Sequence, residues 1–297
     1  MNKKLRIALS ISVVLITISL FIYYISNHKY LLTRLLNTPP TTVLFLLLLY
    51  FAWFIALTMI LQASLRICNV FLSKQENLML NAYSTLVNFF IPGQGGPAVR
   101  GLYLKKRHGL SIRKYIITTL LIYLFYGIVS LVLVLIGTRP WWQSIIGIVF
   151  IIGAAILAAL TYSRKKNISK YGLDFSLSNF SYLLIATLVQ ALIQVIIYYT
   201  ELHSVGAHVS ARQVFTYTGV ANLALFVALT PGAIGIRESF LLFSRRLHHI
   251  SSSNIVAANI IDRSVFLVLL AALFIMIAST HARDKLQLKQ ISNKSNG

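Results

Sequence analysis

Long apolar runs alternate along this chain with short polar and basic segments. A run of roughly 17–25 apolar residues crosses about 30 Å of hydrocarbon as a helix. Such runs occupy residues 7–25, 41–65, 115–137, 141–162, 181–200 and 264–280. Little sequence remains for a soluble domain, so the pattern predicts one integral membrane domain over residues 1–297, an all-α polytopic helical bundle. The first run follows the basic MNKKLR but precedes no small-residue cleavage site, which predicts a retained span.

Two further segments, 76–107 and 214–247, combine apolar residues with Pro-Gly breaks. If both are re-entrant helical hairpins and the N-terminus is cytoplasmic, 19 of the 27 Lys and Arg residues lie on the cytoplasmic side; if both segments cross, 11 do. Because cytoplasmic loops carry an excess of Lys and Arg, the distribution favours hairpins, with both termini cytoplasmic. Residues 214–230 are long enough to cross, so crossing stays an alternative for the second segment.

The two broken segments resemble each other. FIPGQGGPAVRGLYLKKRHGLS (90–111) and LTPGAIGIRESFLLFSRRLHHIS (229–251) share the order Pro-Gly, further Gly, Arg, a basic-His cluster, and Ser before an apolar run. Each follows two predicted spans and precedes one, and three spans per unit is an odd number. The second unit must therefore be inverted, which is typical of transporters. We predict repeat one over 1–137, repeat two over 138–282 and a short basic cytoplasmic tail over 283–297; the alternative is a chance resemblance.

The Pro-Gly stretches are expected to form the tips of the hairpins. The helix over 77–91 should stop at Pro92, and Pro97 fits the first turn of the next helix, where its missing N–H costs nothing. Non-helical backbone at membrane depth survives only inside the bundle or in a wet cavity, and its free N–H groups attract anions. The predicted tip residues are Pro92, Gly93, Gly95 and Gly96 in the first hairpin and Pro231, Gly232 and Gly235 in the second.

The amino-acid composition agrees with an integral membrane protein and limits the kinds of binding partner to expect. Hydrophobic residues make up 57% of the chain, and the mean hydropathy is +0.77. The net charge of +21 is explained first by loop topology and then by contact with anionic lipid headgroups. No nucleic-acid partner is expected, because no basic-aromatic module lies outside the membrane segments. The single Cys68 excludes an internal disulfide framework and is expected to pack as a small apolar residue.

The six acidic residues divide into two groups. Four are expected at interfaces or in loops, and therefore solvated: Glu76, Asp174, Glu201 and Asp284. The other two lie where charge is costly, since Glu238 follows the second tip and Asp262 lies about 13 Å into the last span. Pairing between elements is expected there, for example of Glu238 with Arg263, or of Asp262 with Arg237. Such pairs either lock the hairpin to the last span or release an Arg to bind an anionic headgroup.

Polar side chains at helical spacing suggest a lined cavity. Thr58, Gln62 and Arg66 follow i, i+4 and i+8 on the second span, as Gln190, Gln194 and Tyr198 do on the fifth. Bonding between helices is the alternative explanation. The three histidines of the basic clusters, His108, His248 and His249, are expected at the surface. The candidate substrate-binding residues are Arg100, Arg237, Glu238, Asp262, Arg263, Asn88, Gln62 and Gln194; we predict no catalytic residue, metal site or cofactor.

The chain resembles the lysylphosphatidylglycerol synthase transmembrane region family, the flippase-like domain also found in the multiple peptide resistance factor. The resemblance covers nearly the full length and rests on NFFIPGQGGPAVRGLYLKKRHGLS, LTPGAIGIRESF and Arg263. It implies translocation of a lipid between leaflets. An acidic residue often precedes the first Arg in the family, but Ala98 and Val99 stand there in this chain, so a local carboxylate partner for Arg100 is not expected. The resemblance covers only the flippase part, and the synthase activity is not carried over.

The leading hypothesis is a flippase or transporter, not an enzyme, in the bacterial cytoplasmic membrane. Its substrate would be an anionic or aminoacylated phospholipid, or a polyprenyl-phosphate-linked lipid. One alternative is an integral-membrane glycosyltransferase or lipid phosphatase, although the first outer loop, 26–40, holds no acidic residue. Another is a non-transporting partner of a separate lipid synthase. Expected partners are membrane lipids, with a homodimer and a separate synthase or glycosyltransferase as further hypotheses.

Overall fold

The computed structural model describes residues 38–91, 95–140, 142–145, 147, 172–227, 230–233 and 235–295, with side chains only up to Thr280 in the last of these ranges. The predicted span over 7–25, most of the span over 141–162, and the tip residues Pro92 and Gly93 lie outside the described residues.

Every regular element among the described residues is helical, which confirms the all-α fold class. The helices are α1 (Pro40–Ile67), α2 (Lys74–Phe90), α3 (Gly95–His108), α4 (Ile112–Thr138), α5 (Leu177–Ser204), α6 (Ala211–Ala224), α7 (Ile236–Phe243), α8 (Arg245–His248) and α9 (Ser252–Ser295). Two short 3₁₀ turns, Leu225–Val227 and Pro231–Ala233, lie between α6 and α7.

Local sequence explains where these helices begin. Ser73, Ser111, Ser176 and Ser210 stand directly before α2, α4, α5 and α6, and each side chain accepts a hydrogen bond from the backbone N–H three residues later. This bond satisfies one of the N–H groups that a helix start leaves free. α1 begins instead with Pro40, whose lack of an N–H is harmless at that position.

Four described helices are long and apolar enough to cross a membrane: α1, α4, α5 and the Ser252–Thr280 part of α9. They confirm the spans predicted over 41–65, 115–137, 181–200 and 264–280. Large apolar side chains such as Leu48, Phe51 and Leu124 are exposed on their outer faces, where a soluble protein would place polar groups.

The two segments with Pro-Gly breaks form shorter helices. α2 has 17 residues and α3 and α6 have 14 each, so at 1.5 Å per residue they are about 25 Å and 21 Å long. α2 and α3 pack against each other as a helical pair, and α6 is followed by a broken segment and by α7. The re-entrant topology and the inverted relation of the two repeats stay predictions.

Small residues allow close packing between these helices. A Cβ atom on Gly96 of α3 would lie 2.5 Å from the carbonyl oxygen of Ser84 on α2, so only Gly fits there. A Cβ on Gly219 of α6 would likewise lie 2.5 Å from the carbonyl oxygen of Ser130 on α4. Close backbone approach of this kind replaces the hydrophobic driving force that membrane helices lack.

α9 contacts α1, α2, α5 and α7, and therefore connects both broken segments to the long helices. The buried cluster around it includes Tyr50 and Phe54 of α1, Tyr217 of α6, and Ile261 and Val265 of α9 itself. The second tip contacts the end of α2, where Gly232 lies so close to Phe89 that an added Cβ would come within 3.0 Å of the ring. The two broken segments therefore meet beside α9.

Candidate functional site

A cavity of about 290 Å³ opens between the broken segments and the long helices. Its lining combines aromatic side chains, among them Trp53 of α1 and Tyr126 of α4, with polar and charged groups. The charged lining residues are Arg100 of α3, Arg237 of α7, and Asp262 and Arg263 of α9. Three arginines and one carboxylate thus converge on a space in the interior of a membrane bundle.

Arg237 is held in a buried network. Its Nη2 donates to Asn259 Oδ1 at 2.8 Å and forms an ion pair with Asp262, whose other oxygen bonds the Tyr50 hydroxyl. Its Nη1 lies 3.4 Å from the Tyr198 hydroxyl. Both side chains of the ion pair are less than a tenth exposed. Each charge therefore depends on the other for compensation.

Arg263 forms the second ion pair. Its Nη2 and Nε donate to Oε1 of Glu238 at 2.9 Å and 3.2 Å, and its Nη1 donates to the Gly232 carbonyl oxygen at 2.7 Å. The other Glu238 oxygen accepts the Gly235 N–H at 2.7 Å. The structure thus forms both ion pairs expected from the sequence, and both join the second hairpin to α9.

Positive φ angles shape the second tip. Gly232 has φ 57° and Gly235 has φ 83°, in a region that a side chain disfavours. This backbone turns the Gly232 carbonyl oxygen toward Arg263 and the Gly235 N–H toward Glu238. The predicted tip residues Gly232 and Gly235 therefore position the second ion pair, and Pro231 begins the 3₁₀ turn beside them.

Arg100 differs from the other two arginines. Among the described residues it has no carboxylate within ion-pair distance, and its buried Nε has no hydrogen-bond partner. Its charge acts on the hydroxyl groups of Tyr115 and Tyr123, which also line the cavity. The first half of the chain thus supplies the cavity with a cation that no carboxylate of the described residues compensates.

Unpartnered polar atoms around the cavity are mostly donors. In the described part of the chain, the side-chain atoms Trp53 Nε1, Arg100 Nε and Arg237 Nε are buried N–H donors without a partner, and Gln190 Oε1 is a buried acceptor without one. All four residues line the cavity. A buried donor without a partner is costly, so this surplus favours a ligand that supplies acceptor oxygens.

Two other predicted residues, Asn88 and Gln194, also line the cavity. Gln194 Oε1 accepts from Gln190 Nε2 at 3.0 Å and from the Tyr126 hydroxyl at 3.3 Å. Gln62 does not line it; its Oε1 accepts from the Tyr182 hydroxyl at 3.2 Å, and it faces a separate polar recess between α1 and the start of α5.

Gly95 and Gly96 were predicted as tip residues, but they lie in the first turn of α3, because the helix begins at Gly95. There they allow α3 to pack against α2. Pro97 also lies in this first turn, as expected. α2 ends at Phe90, one residue before the predicted end of that helix.

Sequence reasoning missed Glu201. The prediction that it is solvated is wrong, because the residue is 1% exposed and its Oε1 lies 3.3 Å from the Tyr50 hydroxyl. A signal was present: Gln190, Gln194, Tyr198 and Glu201 follow one another at spacings of four, four and three, on one face of α5. Tyr50 itself carries no such signal, since it lies in an apolar run.

The surface prediction is also wrong for His248, which is completely buried. Its Nδ1 accepts the Ile250 N–H at 3.2 Å, so its Nε2 carries the proton donated to the Leu241 carbonyl oxygen at 3.0 Å. Burial lowers the pKa of His248, which keeps the ring neutral. This histidine therefore closes the turn after α8.

Glu76 is also less solvated than predicted. It lies at the start of α2 and binds the end of α3 through the Tyr103 hydroxyl at 2.6 Å, His108 Nε2 at 2.9 Å and Arg107 Nε at 3.4 Å. Its partners hold the two helices of the first hairpin together. Asp174 is exposed and Cys68 is buried at the end of α1, as expected, whereas the side chain of Asp284 lies outside the described residues.

Comparison with known proteins gives one family. The model of the family described as the lysylphosphatidylglycerol synthase TM region matches residues 6–273. No curated protein matches the chain. The matched region contains both broken segments, α9 as far as Leu273 and every charged residue of the cavity.

Proposed function

The chain belongs to the lysylphosphatidylglycerol synthase transmembrane region family, and from that membership we propose that it moves a lipid with an anionic, phosphate-bearing headgroup between the leaflets of a bacterial cytoplasmic membrane. It is an integral membrane protein of a lipid-related family. The proposal adds the substrate class and the movement. Anionic and aminoacylated phospholipids and polyprenyl phosphates share the phosphate group on which it rests.

The observation that carries this proposal is Arg100, which has no carboxylate partner among the described residues, in a cavity with two further arginines. A guanidinium group stays charged in a poorly hydrated space and holds two phosphate oxygens at once. An empty cavity would leave the Arg100 charge in a poorly hydrated space, and the cost of a charge in the membrane reaches about 2.5–3.5 kcal/mol at the bilayer centre. A bound phosphate would offset that cost.

Cavity size supports a headgroup and not a whole lipid. At about 290 Å³ the space is at the lower end of the roughly 300–1,000 Å³ of small-molecule sites. A phosphate with a small polar substituent is of that scale, whereas two acyl chains are far larger. The headgroup would therefore move through the polar interior of the protein while the acyl chains stay in the bilayer.

The short helices support a transport architecture. α2, α3 and α6 are too short to cross about 30 Å of hydrocarbon, and the distribution of Lys and Arg favours hairpins that return to the side they entered. Broken helices that meet near the midplane are the usual place for a transported substrate. We infer that the lipid is moved without being chemically altered.

The test is leaflet-resolved lipid transfer in proteoliposomes that contain headgroup-labelled phosphatidylglycerol. Charge-assisted hydrogen bonds contribute about 1.5–3 kcal/mol, so Arg100→Ala should slow transfer about tenfold or more. Arg100→Lys keeps the charge and loses the fork, so its rate should be intermediate. Lys106→Ala removes an exposed cation from the same helix and is the matched control.

Two outcomes would contradict the proposal. Equal transfer by wild type, Arg100→Ala and protein-free vesicles would show that the cavity moves no such lipid. Recovery of a chemically modified lipid would show that the protein is an enzyme. Phosphatidylcholine, whose phosphate is balanced by its own cation, should be transferred more slowly than phosphatidylglycerol.

A further inference from the structure

Glu201 is a buried carboxyl group that forms no ion pair with any described residue. It is 1% exposed, and no Lys, Arg or His of the described residues lies within 4.0 Å of its carboxyl oxygens. Its contact is the hydroxyl of Tyr50, itself 6% exposed, on the neighbouring helix α1. An ionised carboxylate buried in this way would be very costly.

The hydrogen-bond count around Tyr50 requires one additional proton. The Tyr50 hydroxyl is within bonding distance of Glu201 Oε1, at 3.3 Å, and of Asp262 Oδ1. A tyrosine hydroxyl has a single hydrogen, and ionised carboxylates only accept. If the hydroxyl donates to Asp262, which is ion-paired with Arg237, then Glu201 must donate to the hydroxyl oxygen. That arrangement holds only when Glu201 carries a proton.

The charge balance leads to the same conclusion. Two arginines, Arg237 and Arg263, face three carboxyl groups, those of Glu201, Glu238 and Asp262. Each of these two arginines has its own carboxylate partner, so neither forms an ion pair with Glu201 if that carboxyl is ionised. Among the described residues, the titratable and charged groups around Glu201 are Tyr50 from α1, Tyr198 from its own helix, Tyr217 from α6, Arg237 from α7, and Asp262 and Arg263 from α9. Tyr126 of α4 and Glu238 of α7 lie beyond these groups, beside Tyr198 and Arg263 respectively.

We propose that Glu201, Tyr50 and Asp262 form a proton-binding site, and that occupancy of the cavity by an anion is linked to proton binding at this site through Arg237. The first part stands on the geometry of the buried cluster alone. The linkage rests on the proposed function, because it needs an anionic headgroup in the cavity.

Arg237 provides the link because it belongs to both places. It lines the cavity, and it is the ion-pair partner of Asp262. A phosphate that draws Arg237 away weakens the compensation of Asp262, and the Glu201–Tyr50–Asp262 cluster then binds protons more tightly. Linkage is reciprocal, so protons must favour anion binding by the same factor. The lipid and a proton are therefore bound together.

Infrared spectroscopy of the detergent-solubilised full chain tests the proton site without any transport. Wild type should show the carbonyl band of a protonated carboxylic acid, and Glu201→Gln, which keeps the size of the side chain, should lack it. Asp174→Asn removes an exposed carboxyl and should keep the band. In Tyr50→Phe the band should remain but move in frequency, because its hydrogen-bond acceptor is gone.

No difference in this band between wild type and Glu201→Gln, at any pH at which both are folded, would overturn the proton site, whether or not lipid moves. The linkage is tested with short-chain phosphatidylglycerol as the probe. The affinity of wild type for this lipid should fall about fivefold or more over the pH range in which the carboxylic acid band disappears. The pH dependence of the affinity should be smaller in Glu201→Gln. Equal pH dependence in both proteins, with the band present in wild type, would overturn the linkage.

Discussion

The ion pair of Arg237 and Asp262 allows a quantitative test of how the second hairpin is held against α9. The perturbation is Arg237→Gln, alone and combined with Asp262→Asn. The single change leaves Asp262 with the Tyr50 hydroxyl and with Arg263, whose Nε is 4.0 Å away. The double change replaces two charges by two neutral amides that can still bond each other.

The expected magnitude follows from burial. Both side chains are less than a tenth exposed, and removing one partner of a buried pair costs about 3–5 kcal/mol, because the other charge is left uncompensated. Placing a charge at the bilayer centre independently costs about 2.5–3.5 kcal/mol. Exchanging both charges together is often nearly neutral. We therefore expect Arg237→Gln to destabilise by about 3 kcal/mol or more, and the double variant to recover at least about 2 kcal/mol.

Equilibrium unfolding in mixed micelles, titrated with SDS and followed by far-UV circular dichroism, measures these differences. Arg246→Gln is the matched control, since it removes an exposed arginine from the same hairpin and should change the unfolding free energy little. A double variant as unstable as the sum of the two single variants would refute the reasoning. An equal loss of unfolding free energy in Arg237→Gln and Arg246→Gln would also refute it.

Two further predictions concern the first hairpin. Burial alone would raise the pKa of Glu76. The hydrogen bonds from Tyr103 and His108 and the positive charge of Arg107 lower it by a larger amount, so the net pKa lies below the ordinary 4.5. The stability that the ionised Glu76 provides is therefore present above pH 4.5 and is lost as the pH falls through the lower pKa of the folded state. In SDS titrations, the difference in unfolding free energy between wild type and Glu76→Gln should shrink on acidification. A difference that does not change with pH would contradict this. Because the hairpin is predicted to return to the cytoplasm, Lys105→Cys should be protected from a membrane-impermeant maleimide added outside intact cells, and labelling from outside would show that the segment crosses.

Periodicity and length were enough to predict the long helices. α1, α4, α5 and the span within α9 form where apolar runs of sufficient length occur, because a lipid-facing helix satisfies its own backbone and needs no specific partner. The breaks were also predictable from the Pro-Gly pairs, since α2 ends at Phe90 and, in the second segment, α7 begins only at Ile236, after Pro231. The ion pairs could be predicted from the free-energy cost of a charge inside the membrane, because Glu238 and Asp262 each needed an arginine within reach.

The residues that escaped prediction depend on contacts between distant segments. Glu201 lies three residues before the end of α5 and looks solvated by position, but α1 and α9 cover it. Gln62 shows the reverse error, because its spacing on α1 matches the polar stripe of α5, yet the antiparallel packing of α1 on α5 turns it away from the cavity. One-dimensional spacing identifies a face of a helix and leaves open which neighbour covers that face.

The two halves of the chain place arginines in one cavity under different electrostatic conditions. Helix α3 contains no acidic residue, and Arg100 forms no ion pair among the described residues, so this arginine can bind an anion without breaking one. Arg237 must give up part of its bond to Asp262 before it can do the same. An anionic headgroup should therefore bind Arg100 first. It should bind Arg237 as well only when the cluster around Glu201 is protonated. It follows that Arg100→Ala should weaken anion binding at every pH, whereas Arg237→Gln should chiefly remove the dependence on pH.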